Sequence, residues 1–85
     1  MSEWSQQLKS TTRNVLSMQN MEPFLLNLAM GRKGVILKNA NGNFGIITME
    51  SCNTQCYQIL EVESSRHIDS YSSIEDLLTG GWVVD

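Results

Sequence analysis

The dipeptide Asn41-Gly42 lies between two apolar runs, and this arrangement constrains the fold more than any other part of the sequence. The first run covers residues 35–37 and the second covers residues 44–47. Asn-Gly readily adopts the positive φ angles of a tight turn, so an Asn-Gly pair between apolar runs predicts a β-hairpin. The chain therefore contains at least one antiparallel strand pair near its middle.

A two-residue loop at this turn fixes the expected register of the hairpin. It pairs Ala40 with Asn43 and Leu37 with Ile46, and alternation along each strand then assigns every side chain to a face. Both faces are apolar near the base of the hairpin, so we expect a helix or a partner to cover part of the second face. One face would carry Val35, Leu37, Phe44 and Ile46, and the other Ile36, Ile47 and Met49.

Two helical patterns precede the hairpin. The first has a thin apolar stripe formed by Trp4, Leu8, Val15 and Met18, with Ser2 as a candidate N-cap. So thin a stripe needs a surface to lie on, because short isolated helices are marginally stable in water. That surface is either the protein's own sheet or another chain, and Trp4 near the chain end suits both roles.

The second helix begins near residues 21–23, where Pro23 fits a first turn, and ends at Gly31, a residue suited to the left-handed stop. Apolar residues occupy nearly its whole circumference. The pattern therefore predicts a helix buried on more than one side that supplies the core. On this interpretation, Leu25→Ala or Leu28→Ala costs about 2–5 kcal/mol.

The remainder of the chain predicts further strands and one short helix. Residues 56–63 alternate as a third strand, and residues 68–71 form a brief extended piece. Ser72 and Glu75 have the spacing of a capping box, the short helix stops at Gly80-Gly81, and residues 82–84 form the last strand. The predicted fold is a single α+β domain over residues 1–85. Two N-terminal helices precede a mainly antiparallel sheet of three to four strands, with a short helix before the last strand.

Composition excludes several classes of protein. The 85 residues are 41% hydrophobic and 18% charged, which is typical of a folded soluble domain. No apolar stretch approaches the ~20 residues that span a bilayer, and the first residues lack a signal-peptide pattern. We therefore expect a cytoplasmic protein without membrane contact, and its two cysteines to be reduced there.

No motif assembles catalytic or metal chemistry. Cys52, Cys56 and His67 fall short of four zinc ligands with paired spacing. Glu61 and Glu63 share a strand face, but paired carboxylates serve glycoside hydrolysis only when they flank a cleft. The glycines match no phosphate loop. The sequence predicts a non-enzymatic protein without metal or cofactor.

The leading hypothesis is a small protein-binding regulator, inhibitor or adaptor. It would act through the N-terminal helix and the apolar sheet face, and a homodimer through the same surfaces is a close variant. At this size a dimer adds buried area that a lone core lacks. The candidate partner-binding residues are Trp4, Leu8, Lys9, Arg13, Arg32 and Lys33.

The alternative is a nucleic-acid-binding accessory protein. Residues 1–40 hold five basic residues against two acidic ones, whereas residues 41–85 hold one against seven. A basic first half could neutralise phosphates. The net charge of −3 weighs against this alternative, because nucleic-acid-binding domains are usually strongly basic.

Overall fold

The computed structural model describes residues 4–85 and shows a mixed α+β protein. The predicted class is therefore confirmed, but the sheet has five strands rather than three to four. The elements in chain order are α1 (Gln6–Leu16), α2 (Glu22–Ala29), β1 (Gly34–Asn39), β2 (Phe44–Thr48), α3 (Met49–Asn53), β3 (Tyr57–Leu60), β4 (His67–Tyr71), α4 (Ile74–Thr79) and β5 (Trp82–Val84).

The sheet order is β4-β3-β2-β1-β5, and every neighbouring pair is antiparallel. One buried cluster joins side chains of all four helices to alternate strand residues, so the described helices pack on a single face of the sheet. We call the opposite face the open face. Members of the buried cluster include Val15, Phe24, Leu37, Ile47, Cys52, Ile59, Leu77 and Trp82.

The hairpin turn has three residues in its loop rather than two. The backbone N–H of Asn39 donates to the Asn43 carbonyl oxygen at 2.8 Å, and Gly42 N–H donates to the Asn39 carbonyl oxygen at 2.9 Å. Gly42 has a φ of +95°, which its lack of a side chain permits. The Asn41-Gly42 signal thus identified the hairpin, while the loop length was wrong by one residue.

That single residue moves side chains to the other face of the sheet. Leu37 pairs with Gly45 and Ile36 pairs with Ile46, so Leu37 and Ile46 lie on opposite faces. The predicted faces of the hairpin were therefore wrong, as expected for a one-residue slip in a period-two structure. The helix-side face carries Val35, Leu37, Gly45 and Ile47, and the open face carries Ile36, Lys38, Phe44 and Ile46.

Helix α1 closes one edge of the sheet. Its N-cap is Ser5, whose side chain accepts a hydrogen bond from Leu8 N–H, whereas the predicted cap Ser2 lies outside the described residues. Thr12 is fully buried, and its hydroxyl accepts from the Val84 N–H at 3.1 Å while donating to the Leu8 carbonyl oxygen at 2.8 Å. Helix α1 therefore supplies the acceptor for the Val84 N–H, a backbone donor of β5 that points away from β1.

We expect Thr12→Val to lower the free energy of unfolding by about 1–3 kcal/mol, because valine keeps the volume and leaves the Val84 N–H buried without an acceptor. Urea denaturation measures this change. The matched control is Thr11→Val, since Thr11 is exposed and bonds only within its own helix. Equal effects of the two substitutions would contradict this role for Thr12.

Helix α2 is the largest departure from the sequence-based prediction. It begins after Met21 and is terminated by Gly31, whose φ is +81°, so its boundaries agree with expectation. Phe24 alone among its residues is buried, which makes the prediction of a core helix wrong. The space over the sheet is filled from α1, α3 and α4, and α2 packs against β1 through one side only.

Smaller corrections concern the second half of the chain. Strand β3 ends at Leu60, so Glu61 and Glu63 lie in the following loop and not on a strand face. Helix α3 was not predicted. The N-cap of α4 is Ser73, which accepts from Asp76 N–H, one residue later than the predicted box.

Candidate interaction surfaces

The large hydrophobic side chains that stay exposed fall into two groups among the described residues. The first group belongs to α2 and its flanking residues, and we call it the helix patch. The second group lies on or beside the open face, and we call it the sheet patch. The helix patch consists of Met21, Leu25, Leu26, Leu28 and Met30, and the sheet patch of Phe44, Val62 and Ile68.

Leu25 and Leu26 of the helix patch lie on the side of α2 that points away from the sheet. Successive residues of a helix are about 100° apart, so Leu25 and Leu26 lie far around the helix from Phe24. Phe24 is 0% exposed, whereas Leu25 and Leu26 are each 55% exposed. An apolar surface of this kind on a short helix is typical of a surface that another molecule covers.

Local polar contacts brace α2 internally and at its C-terminal end. The Asn27 side-chain amide donates to the Pro23 carbonyl oxygen at 2.6 Å, and Arg32 Nη1 donates to Asn27 Oδ1 at 3.1 Å. Pro23 also occupies the first turn, where its missing N–H costs nothing. Phe24, which is fully buried in the main cluster, anchors α2 to the domain, so the helix patch is presented on an attached helix.

Sequence reasoning missed the helix patch as a site because an all-apolar circumference usually indicates a buried helix. The length of α2 is the sequence feature that could have indicated this exposed patch. Eight residues make about two turns, and a core helix of that size has little area to bury on several sides at once. Gly31 and Arg32 then turn the chain directly into β1.

The structure places Trp4 and Leu8 against their own domain. Trp4 Nε1–H donates to the Gly81 carbonyl oxygen at 2.8 Å, and Lys38 Nζ lies 5.1 Å from the centre of the indole ring. Leu8 is partly buried against the main core. These contacts favour the anchoring role of Trp4, and partner binding through it stays a prediction.

Trp4→Ala should lower the free energy of unfolding by about 1–3 kcal/mol, since it removes a hydrogen bond, a cation–π contact and part-buried area. Guanidinium denaturation followed by circular dichroism measures this loss. Trp4→Phe keeps the ring and is expected to recover part of it. If Trp4→Ala left stability unchanged, the indole would not anchor α1.

Arg13 and Lys9 lie near α4. Arg13 Nε and Nη2 donate to the two carboxylate oxygens of Glu75 at 2.7 and 3.1 Å. This hydrogen-bonded pair, aided by the charges of Arg13 and Lys9, holds the pKa of Glu75 below its ordinary value. Arg13 is thus engaged within the domain.

The other basic residues also have partners in the fold. Arg32 donates to Asn27, Lys33 donates to Ser65, and Lys38 lies 3.9 Å from Asp85. Of the six sequence candidates, Arg32 and Lys33 lie beyond the end of α2, next to the helix patch. The nucleic-acid alternative stays untested.

The thiols show no assembled site. Cys52 is buried and Cys56 is exposed, and both are free. Burial raises the pKa of the Cys52 thiol to about 12, which disfavours the reactive thiolate. Within residues 4–85, no three His, Cys, Asp or Glu side chains gather as a metal site.

None of the helices in residues 4–85 has the length and apolar character needed to cross a membrane. Comparison with protein-family models, with curated proteins and with solved structures finds no match. The case for a function therefore depends on the chain's own surfaces.

Proposed function

We propose that this chain is a small, non-enzymatic protein-binding domain that acts as a regulator, inhibitor or adaptor in the cytoplasm. The observation that carries the proposal is the helix patch, five large apolar side chains left in water on an anchored helix. Two free cysteines suit a reducing compartment. The sequence-based hypothesis assigned partner binding to α1. In this proposal α1 supports the sheet, and α2 supplies the binding surface.

The charges beside the patch indicate the chemistry of the partner. Glu22 opens α2, and Arg32 and Lys33 follow its end, all three exposed. A fitting partner is a different protein with an apolar helix-binding groove, acidic where it meets Arg32. Covering the exposed half of each leucine contributes about 1 kcal/mol, which suits a reversible complex.

Site-specific photocrosslinking tests this proposal. A photoreactive residue at Leu26 is expected to form an adduct with one protein in extracts of the source cells, and the same residue at exposed Gln7 of α1 is the control. The captured protein is then purified and mixed with the domain to measure its affinity directly.

The alternatives appear as other outcomes of this experiment. An adduct between two copies of the chain would replace the separate partner with a homodimer. Adducts at Gln7 as strong as those at Leu26 would contradict the helix patch. Salt-sensitive oligonucleotide binding without any protein adduct would favour the nucleic-acid alternative.

A further inference from the structure

Ile46 is buried on the side of the sheet that carries no helix. It is paired with Ile36, so its side chain is on the open face, yet it is only 4% exposed. Phe44, two residues earlier on the same strand and the same face, is 54% exposed. Something other than a helix must cover Ile46.

The loop between β3 and β4 provides this cover. Lys33 immediately precedes β1, and its Nζ donates to the hydroxyl of Ser65 in that loop. Strand β2 lies between β1 and β3, so a contact from Ser65 to Lys33 must pass over β2. Val62 of the same loop lines a groove of about 190 Å³ together with Ile36 and Ile46.

The loop is braced by hydrogen bonds among its own residues. Glu61 N–H donates to the Arg66 carbonyl oxygen at 2.7 Å, and Ser65 N–H donates to the Glu61 carbonyl oxygen at 2.9 Å. The Ser64 hydroxyl donates to Glu61 Oε1 at 2.6 Å. Ser65 has a φ of +60°, a left-handed conformation that persists in a non-glycine residue when its surroundings hold it.

We propose that residues 61–66 form a strap that closes over the open face and is latched by Lys33 to Ser65. Release of the latch exposes Ile46, the residue of the groove that is buried in the closed form. The latch is a single hydrogen bond between side chains near the surface, so the strap opens by a local equilibrium and not by unfolding of the domain. This device concerns the open face and is independent of the helix patch.

Thiol labelling measures the opening of the strap. The parent is the full chain with Ile46→Cys and Cys56→Ser, in which the thiol at position 46 reports the groove and Cys52 reports the helix-side core. Lys33→Met and Ser65→Ala each remove the latch. Lys9→Met, which replaces a lysine of α1 outside the latch, is the matched control.

Because the strap covers position 46, we expect slow labelling of the thiol there in the parent. We also expect an increase of about three- to tenfold in both latch variants, the size expected from one hydrogen bond. The double variant should label no faster than either single variant, because both remove the same bond. Cys52 should stay protected throughout.

Three results would overturn the strap: free labelling at position 46 in the parent, unchanged rates in both latch variants, or equal acceleration at position 46 and Cys52. Ile36→Cys, at a partly exposed position in the same groove, replaces Ile46→Cys if that variant fails to fold, and the ratio of the labelling rates of latch variant and parent is then the readout. The helix patch is unaffected by any of these outcomes.

Discussion

Replacing Phe24 with alanine is expected to lower the free energy of unfolding by about 3–5 kcal/mol. Phe24 is the one side chain through which α2 enters the main core, and it is fully buried in the cluster that also contains Val15, Leu16 and Val35. Its removal takes away the transfer free energy of the ring and leaves a cavity between α2 and β1. Chemical denaturation monitored by circular dichroism gives this value.

Leu25→Ala and Leu28→Ala are the matched comparisons on the same helix. Both leucines are about half exposed, so each substitution should cost below about 1 kcal/mol. A core helix would instead predict a loss of about 2–5 kcal/mol at each leucine. Losses of that size at Leu25 or Leu28 would show that the outer side of α2 is buried.

The double substitution Leu25→Glu/Leu26→Glu is expected to weaken partner binding by about a hundredfold or more, since it places two carboxylates against an apolar groove. Stability should change little, because both side chains already lie in water over much of their surface. Isothermal titration with the purified partner measures the affinity.

Gln6→Glu/Gln7→Glu adds the same charge on exposed positions of α1 and is the control. It should bind the partner like the unaltered chain. Equal weakening by both double variants would attribute the loss to net charge, and undiminished binding by the α2 variant would remove α2 from the interface.

Local signals predicted much of the fold. Pro23 and Gly31 bounded α2 because one fits a first helical turn and the other adopts a positive φ. Asn41-Gly42 predicted the hairpin, and Gly80-Gly81 predicted the break before the last strand. Each of these features depends on the conformational preference of one or two residues, and that preference follows from the residue type alone.

The remaining features depend on long-range packing. The hairpin register turned on one loop residue, which the Asn-Gly pair alone does not specify. One side of α2 stays exposed because side chains of α1 and α4 already fill the core over the sheet. Lys33 precedes β1 and Ser65 follows β3, and no spacing in the sequence indicates that these two residues meet.

On this proposal, the exposed leucines of α2 lie in water until a partner covers them. Methyl NMR with a soluble paramagnetic agent, recorded on the isolated domain and on the complex, measures this accessibility. We expect strong broadening of Leu25, Leu26 and Leu28 in the isolated domain and protection in the complex, with buried Leu16 and Leu77 unaffected in both. Protection of the α2 methyl groups in the isolated monomer, or unchanged broadening in the complex, would contradict it.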